Sequence, residues 1–195
     1  MMRADLEMVA RWITSGSRVL DLGCGDGFLL SRLRQTKQVH GFGIEIEPDQ
    51  VVAAIANGVN VLQMNLETGL SGFDDNSFDT VILSQTLQAM HHTESLLREM
   101  LRVGHEGIVT FPNFGYWKNR WQVLWGLMPK SADMPYEWYN TPNVHLCTLR
   151  DFEDLCDLIG AQVMERCVID VQGQPVSLWP NFMGSLAIYR IRPKA

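Results

Sequence analysis

The glycine-rich stretch at residues 19–27, Val-Leu-Asp-Leu-Gly-Cys-Gly-Asp-Gly, constrains the fold more than any other part of the sequence. The apolar run before Gly23 is typical of a buried parallel strand, and the alternate glycines then force a tight turn before an amphipathic segment begins. The sequence therefore predicts a strand, a glycine loop and a helix N-terminus. At such a junction, bare backbone N–H groups approach part of a ligand, and the helix dipole favours a negative group there. A nucleotide-like cofactor is the expected occupant.

Two acidic residues indicate which cofactor fits the loop. Asp21 lies at the end of the strand and can accept a hydrogen bond from a cationic amino group. Glu45 ends the next apolar run, residues 39–44, where a carboxylate can accept from both ribose hydroxyls. The G-x-G-x-G spacing differs from the G-x-G-x-x-G of dinucleotide oxidoreductases, and the loop lacks the lysine of a phosphate loop. The two acids and the glycine loop favour S-adenosylmethionine (SAM).

The alternative for the glycine loop is a strand-to-helix turn that binds no ligand. Glu45 argues against this alternative because it follows the loop at the spacing of a ribose-binding acid. Asp26 is better explained as an acid that complements the helix dipole than as a ligand contact. Cys24 is interpreted as a small loop residue beside the ligand, with no chemical role.

Composition limits the classes to which the chain can belong. Its 195 residues predict one domain, 1–195, and the 46% hydrophobic content suits a full core. The formal net charge of −6 argues against a nucleic-acid partner, which would require a basic face. The four cysteines form no metal-ligand or disulfide pattern, so we expect no metal site and a reduced, cytoplasmic location. No apolar run is long enough to span a bilayer, and the first residues lack the apolar core of a signal peptide. We therefore expect no membrane association.

Predicted strands and helices alternate along most of the chain. This alternation is typical of βαβ units and of a parallel sheet with ligands at its carboxyl edge. After the first strand, the predicted strands are 39–45, 59–64, 78–84, 107–111, 163–171 and 184–191. The predicted helices are 3–13, the segment after the glycine loop, 48–58, 94–103 and 148–160. In the 48–58 helix, Val51, Val52 and Ile55 share the apolar face. The last two strands are expected to form an antiparallel pair.

Residues 112–147 differ in composition from the rest of the chain. Nine of the eighteen aromatic residues lie between positions 111 and 139. Trp117, Trp121 and Trp125 recur every four residues, which predicts one helix, and the glycine and prolines that follow predict irregular chain. This aromatic-rich insert has three interpretations: core packing of a covering helix, a surface that docks a partner, and a lid over a small substrate.

Three histidines near predicted strand ends are candidates for a general base: His91, His92 and His145. Capping or surface roles are the favoured interpretation of all three. Methyl transfer from SAM can proceed mainly through proximity and alignment, because the sulfonium is already an activated leaving group. The catalytic residues therefore stay unknown, and the lack of a clear base does not argue against an enzyme.

Taken together, the motifs resemble a known superfamily and one family within it. Four stretches are similar to the class I SAM-dependent methyltransferases: residues 19–27, Glu45, 77–79 and 99–103. Four more resemble the methionine biosynthesis protein MetW: residues 84–89, 111–117, 128–129 and 135–148. The resemblance implies an α/β, Rossmann-like fold with a seven-stranded, mostly parallel sheet and helices on both faces. It also implies one antiparallel strand near the C-terminus and the aromatic insert after the fifth strand.

The same resemblance implies the residues that contact SAM or S-adenosylhomocysteine (SAH). They are Asp21, Gly23, Cys24, Gly25, Glu45, Ile46, Asn65, Leu66 and Ser84. Asn65 stands where the wider family has an acid that meets the adenine amino group. An amide oxygen can still accept a hydrogen bond from that amine, but it contributes no charge.

The MetW resemblance implies a protein partner as well. MetW-like proteins are associated with homoserine O-acyltransferase, an α/β-hydrolase enzyme that some bacteria need them to activate. We therefore expect an accessory subunit that activates this enzyme and senses SAM, with Trp117, Trp121 and Trp125 as the docking surface. The alternatives are a SAM-dependent methyltransferase of a small-molecule acceptor and a scaffold that binds no cofactor. The sequence leaves open the methyl acceptor, the oligomeric state, the stoichiometry and the acyl group.

Overall fold

The computed structural model describes residues 3–194, so the two ends of the predicted 1–195 domain lie outside the described residues. The described residues form strands β1 to β7: Arg18–Leu22, His40–Glu45, Asn60–Gln63, Phe78–Ser84, Gly104–Pro112, Ala161–Ile169 and Leu186–Pro193. They also form α-helices α1 to α7: Ala4–Trp12, Phe28–Lys37, Pro48–Ala56, Thr93–Val103, Trp117–Leu124, Leu149–Ile159 and Pro180–Met183. None of these helices has the length and apolar character needed to cross a membrane. The predicted alternation of strands and helices is confirmed, and α7 is an addition to it.

The seven strands form one sheet with the order β3-β2-β1-β4-β5-β7-β6. The first five strands in this order, β3, β2, β1, β4 and β5, run parallel to one another. β7 runs antiparallel to both of its neighbours, β5 and β6. The predicted seven-stranded, mostly parallel sheet with one antiparallel strand near the C-terminus is therefore confirmed. The strand order reverses between β1 and β4. In open α/β sheets a ligand crevice lies at that reversal, beyond the carboxyl ends of the strands.

Apolar side chains pack on both faces of the sheet. On the face covered by α4 and α6, the rings of Phe111, Phe152 and Tyr189 lie with centroids 4.8 to 5.8 Å apart. On the opposite face, α1, α2 and α3 pack through residues such as Leu30 and Ala54. Helices therefore cover both faces, as predicted, and the carboxyl ends of the parallel strands lie at the edge between the two layers.

Local signals set the ends of α6. Asp151 Oδ2 accepts a hydrogen bond from Thr148 N at 2.8 Å, and Thr148 Oγ1 accepts from Asp151 N at 3.4 Å. This reciprocal capping box satisfies N–H groups that a helix start otherwise leaves without partners. Gly160 ends the helix with a φ of 72°, a left-handed conformation that glycine adopts at little cost. The predicted 148–160 helix is confirmed.

Several local predictions are wrong. β6 and β7 occupy Ala161–Ile169 and Leu186–Pro193 instead of 163–171 and 184–191, and further errors concern α3 and β5. Val52 and Ile55 of α3 are 66% and 60% exposed, and Ala54 is the residue that packs inward. The cause is the close approach of α3 to the glycine loop: a Cβ added at Gly27 would lie 3.2 Å from Ala54 Cβ, which leaves room for little more than a methyl group. In addition, β5 begins at Gly104 instead of position 107, because it pairs with β4 from its first residue.

The aromatic segment, residues 112–147, extends from the last residue of β5 to the turn before α6. It contains α5 followed by irregular chain, as predicted. Backbone hydrogen bonds attach both of its ends to the fold. Asn113 N donates to Ser185 O at 2.8 Å, and Phe114 N donates to Cys147 O at 3.0 Å. The segment therefore leaves and re-enters the fold at the carboxyl edge of β5.

Candidate functional site

The glycine loop connects β1 to α2 with a left-handed backbone at its three glycines. The φ angles are 77° at Gly23, 54° at Gly25 and 72° at Gly27, values that residues with a Cβ rarely adopt. Gly23 N and Cys24 N donate to Ile44 O at 2.8 and 3.0 Å, which fixes the loop against β2. A Cβ at Gly25 would meet only Gln50 Oε1, at 3.8 Å, so this glycine borders open space. The loop thus offers a backbone surface that a ligand can approach closely.

Glu45, the last residue of β2, is buried beside the loop with 8% of its surface exposed. Its Oε2 accepts from Gly25 N at 2.8 Å, and its Oε1 accepts from Ile46 N at 2.7 Å and from Glu47 N at 3.0 Å. A carboxylate has about four acceptor positions, so one remains on Oε2. In this arrangement Glu45 can accept from one hydroxyl group, and a second would have to replace a backbone N–H.

Asp21 is a buried carboxylate with an unmet hydrogen bond. It lies in β1 with 3% of its surface exposed, and within residues 3–194 no group donates to its Oδ1. Burial, and secondarily the negative charge of Glu45, raises the pKa of Asp21 from 3.8 to about 7, while the charge of Arg3 opposes this shift. A cationic amino group placed here would supply both a donor and a compensating charge. The residues present therefore fit the amino-acid end of SAM or SAH.

The N-terminus of α1 adds polar residues to this edge that the sequence analysis missed. Arg3 donates to Asp5 through Nε at 3.1 Å and Nη2 at 2.7 Å, and Nη2 lies 3.4 Å from Ser84 Oγ. Gln85 Nε2 donates to Asp5 Oδ2 at 3.1 Å. A cavity of about 240 Å³ borders this cluster and is also lined by Asp133. In the sequence, Asp5 resembles an ordinary acid in a first helical turn, so no local signal indicates its position at the carboxyl end of β4.

The other predicted site residues lie at the carboxyl ends of β1 to β4, but their surroundings differ. Ile46 is half-exposed, Leu66 is buried in the core, and Ser84 Oγ lies 3.2 Å from Thr110 Oγ1. Asn65 Oδ1 accepts from the N–H of the residue two positions on, at 2.9 Å, and so caps the short turn Leu66–Thr68. A second acceptor position on this oxygen remains for an amine.

The cysteine of the glycine loop is a packing residue in this structure. Cys24 is 9% exposed, and its Sγ occupies the space that a Cβ at Gly43 would fill. Burial, with the nearby carboxylates Asp21 and Glu45, raises the pKa of Cys24 from 9.0 to about 12. The thiol is therefore uncharged at neutral pH and contributes no nucleophile to the site.

The three candidate histidines surround the start of α4. The backbone N–H groups of His91 and His92 donate to the Glu67 carboxylate at 2.6 and 3.3 Å, and His145 Nε2 lies 3.3 Å from His91 O. These contacts fit the capping interpretation. They do not assign a general base, so the catalytic residues stay unknown.

The tryptophans of the aromatic segment point outward, so the core-packing interpretation is wrong. Trp117, Trp121 and Trp125 are 38%, 56% and 68% exposed, and the rings of Trp121 and Trp125 meet edge to face at 5.9 Å. The buried residue of α5 is Asn119, which is 1% exposed. Further exposed apolar residues of the segment are Val123, Leu124, Leu127, Met128, Tyr136, Trp138, Tyr139, Val144 and Leu146. Large exposed apolar surfaces of this kind are typical of interaction sites.

Two buried asparagines hold the aromatic segment in place. Asn113 is fully buried; its Nδ2 donates to Gly184 O at 2.8 Å and to Asn181 O at 3.1 Å, and its Oδ1 accepts from Gly115 N at 2.9 Å. Asn119 Nδ2 donates to Asn113 O at 3.2 Å. Side-chain amides thus position α5 and leave its apolar side chains free for other contacts.

Comparison with known proteins gives a family and a fold. The profile of the family described as methionine biosynthesis protein MetW matches residues 3–191. The bifunctional methionine biosynthesis protein MetXA/MetW of Rhodopirellula baltica is 38% identical over 186 residues. These cover 90% of this chain and 30% of that protein, so the chain spans less than a third of its relative.

Solved structures that are similar over nearly the whole chain include two SAM-dependent methyltransferases. A SAM-dependent methyltransferase of Thermotoga maritima has a TM-score of 0.70 at 18% identity, covering 98% of this chain and 88% of that one. A SAM-dependent methyltransferase of Archaeoglobus fulgidus has a TM-score of 0.70 at 14% identity, covering 96% and 91%. Identities this low establish the fold alone, which is that of the class I SAM-dependent methyltransferases.

Proposed function

The chain belongs to the MetW family of methionine biosynthesis proteins, and we propose that it is a SAM- or SAH-binding accessory subunit of a homoserine O-acyltransferase. In this proposal the carboxyl edge of the sheet holds the cofactor, and the aromatic segment docks on the acyltransferase and activates it.

Within residues 3–194 nothing donates to Asp21 Oδ1, and this observation best supports the cofactor part of the proposal. The ammonium of SAM or SAH would donate to this oxygen, and an opposite charge in a buried setting interacts more strongly than in water. Glu45 Oε2 would accept from a ribose hydroxyl, and the open space at Gly25 would admit the cofactor against the loop backbone. Bound SAM supplies an activated methyl group. Around it we place four further contacts: Ile46, Asn65, Leu66 and Ser84.

The MetXA/MetW relative is the observation that best supports the partner part. A chain that contains both modules holds them at a high effective concentration, which favours functions that act together. The exposed tryptophans of the aromatic segment suit such a contact, because aromatic residues dominate the energetics of protein interfaces. We therefore assign Trp117, Trp121 and Trp125 to the docking surface for the acyltransferase.

A sensing role follows if SAM binds the free and the docked forms of the chain with different affinities. The acyltransferase rate of the complex would then change as SAM fills the site. The test is to measure this rate while SAM is titrated to saturation. A constant rate would contradict the sensing role and leave the accessory role intact.

Calorimetric titration with SAM tests the cofactor site. Glu45→Ala should weaken SAM binding roughly tenfold to a hundredfold, because a hydrogen bond to a charged group contributes about 1.5 to 3 kcal/mol. Glu47→Ala is the matched control: it removes the same charge from an exposed side chain two residues away and keeps the backbone N–H that Glu45 accepts. Equal SAM affinities for the two variants would contradict this site, and no SAM binding by the native chain would favour the scaffold alternative.

A second candidate function is methyl transfer to a small acceptor. The polar cavity of about 240 Å³ lined by Arg3, Asp5, Gln85 and Asp133 favours it, because that cavity borders the carboxyl end of β4. Its carboxylates would suit an acceptor with an amino group. Incubation of the chain with methyl-labelled SAM and a panel of primary amines tests this candidate. Transfer of label that is lost in Asp133→Asn would support it, and no transfer to any amine would contradict it.

A further inference from the structure

We infer that the chain has a second ligand site, separate from the cofactor site, which binds a neutral small molecule with an apolar body and one hydrogen-bond donor. The site is a cavity of about 230 Å³ at the carboxyl ends of β4 and β5, on the face of the sheet covered by α4 and α6. The inference does not depend on the proposed function.

The walls of this cavity are mainly apolar. Leu87, Phe111 and Phe152 are buried at 3%, 1% and 1% exposure, Leu155 is half-buried, and Leu146 of the aromatic segment is 42% exposed. An apolar cavity of about 150 Å³ is sufficient for benzene. A substituted six-membered ring or an aliphatic chain of similar size therefore fits the cavity.

The wall formed by the aromatic segment is fixed to the turn that follows β4. Gln88 O, in this turn, accepts from Val144 N at 2.8 Å and from His145 N at 3.0 Å. These bonds hold the returning chain against the turn. The cavity is therefore a defined pocket and not a gap beneath a detached loop.

Most polar groups that line the cavity already have a role in the structure. The Thr93 hydroxyl donates to a backbone carbonyl at 3.2 Å, and the Asp151 carboxylate accepts from the N-cap of α6 at 2.8 Å. The His145 ring lies 3.3 Å from a backbone carbonyl. Burial raises the pKa of Cys147 from 9.0 to about 12, so its thiol stays neutral. Asp151 is the one anionic side chain of this lining, and it lies exposed at the start of α6, so the buried walls of the cavity present no charge to a ligand.

The Gln88 side chain is the exception. Its Nε2 donates to Gln85 O at 2.7 Å. Its Oε1 is shielded from solvent and has no donor within residues 3–194. A buried carbonyl without a partner is costly. Gln88 lines the cavity, and we infer that its amide turns to present Oε1 to an O–H or N–H group of a ligand there, which supplies the missing hydrogen bond. The ligand class is therefore a neutral alcohol, phenol or amide with an apolar body.

Phenol and toluene are suitable probes, because they have nearly the same shape and differ in the hydroxyl group. Each would be titrated into the purified full chain without SAM, with binding followed by protein NMR. We expect saturable binding of phenol to the native chain. Gln88→Met should lower the ratio of phenol to toluene affinity roughly three- to tenfold, which is the range for one hydrogen bond.

Two tryptophan substitutions on α6 locate the site. Leu155→Trp should fill the cavity and weaken phenol binding roughly tenfold or more. Leu158→Trp is the matched control, because Leu158 lies on the same helix but is 66% exposed and outside the cavity lining. Leu146→Trp, on irregular chain at the cavity wall, repeats the test if Leu155→Trp fails to fold. No saturable phenol binding, or equal binding by the native chain and the cavity-filling variants, would overturn the inference.

Discussion

At the carboxyl edge of the sheet two carboxylates are buried, whereas in the aromatic segment two tryptophans lie largely in water. Asp21 and Glu45 are 3% and 8% exposed, and Trp121 and Trp125 are 56% and 68% exposed. Glu45 is compensated by three backbone N–H groups, whereas within residues 3–194 nothing donates to Asp21 Oδ1. The burial of Asp21 and the exposure of apolar tryptophan area are therefore both unfavourable in the isolated chain. A bound molecule would relieve each of them. The edge suits a cationic ligand, and the aromatic segment suits a protein surface.

The two regions also differ in what holds them in place. β-sheet pairing positions Asp21 and Glu45, because they lie within β1 and β2. The amides of Asn113 and Asn119 position the aromatic segment. A change in one set of contacts should therefore leave the other region intact, and the predictions below test this separation.

The largest expected effect comes from Asp21→Asn. A pKa of about 7 for Asp21, raised from 3.8 by burial, means that ionisation opposes folding. The free-energy cost of ionising Asp21 in the folded chain is absent below pH 4 and grows as pH rises towards 7. It reaches about 4 kcal/mol, because each unit of pKa shift corresponds to about 1.4 kcal/mol. Asp21→Asn should remove this cost at pH 8 and flatten the dependence of unfolding free energy on pH, as measured by urea denaturation.

Asp79→Asn is the control, because it should change the unfolding free energy in the opposite direction to Asp21→Asn. The hydrogen bond from Arg18 N lowers the pKa of Asp79, so its stabilising contribution is present above the usual pKa and is lost as pH falls through the lowered value. The variant should therefore lose stability at neutral pH. An Asp21→Asn variant that is no more stable than the native chain at pH 8 would contradict the assignment of Asp21 as an uncompensated buried carboxylate.

Asn113→Ala should have the next largest effect. It leaves Gly115 N and the carbonyls of Asn181 and Gly184 without partners, at an expected cost of about 3 kcal/mol in unfolding free energy. SAM affinity should change by less than about twofold, because the proposed cofactor contacts do not involve this residue. Asn60→Ala, at an exposed position of β3, is the control for stability. A large loss of SAM affinity in Asn113→Ala would show that the two regions are coupled.

Gly25→Ala tests whether the cofactor lies against the glycine loop. Gly25 and Gly16 have φ angles of 54° and 74°, and a Cβ at Gly16 would meet nothing within 4 Å. Alanine at either position should therefore lower the unfolding free energy by about 1 to 2 kcal/mol, because its backbone would be strained. Only Gly25→Ala should also weaken SAM binding, by roughly tenfold, because its Cβ would occupy the cofactor space. Similar SAM affinities for the two variants would place the cofactor elsewhere.

The fold and the cofactor edge were predictable because their signals are local. An apolar run followed by Gly23, Gly25 and Gly27 allows few conformations, and Glu45 ends the next apolar run. The position of Asp5 was not predictable, since its contact with Gln85 joins residues 80 positions apart. Sequence periodicity gives no information on such a contact.

The orientation of α5 was not predictable for a different reason. A repeat of every four residues shows that Trp117 and Trp121 share a face, but not whether that face meets the core or the solvent. Asn119 decides this, because its buried amide bonds to the chain before α5. Asparagine is usually exposed, so sequence analysis gave it no structural role. In α3, likewise, contact with Gly27 outweighed side-chain hydrophobicity.

The most direct test of the account is the rate of homoserine O-acyltransferase, purified from the same source, as this chain is added at increasing concentration. The native chain should raise the rate to a plateau. Trp121→Ala/Trp125→Ala should need roughly tenfold more chain to reach half of that plateau, because each tryptophan is a candidate interface hot spot. Val52→Ala/Ile55→Ala, which removes similarly exposed apolar residues from α3, should match the native chain. An unchanged acyltransferase rate with the native chain, or equal activation by the tryptophan variant, would contradict the account.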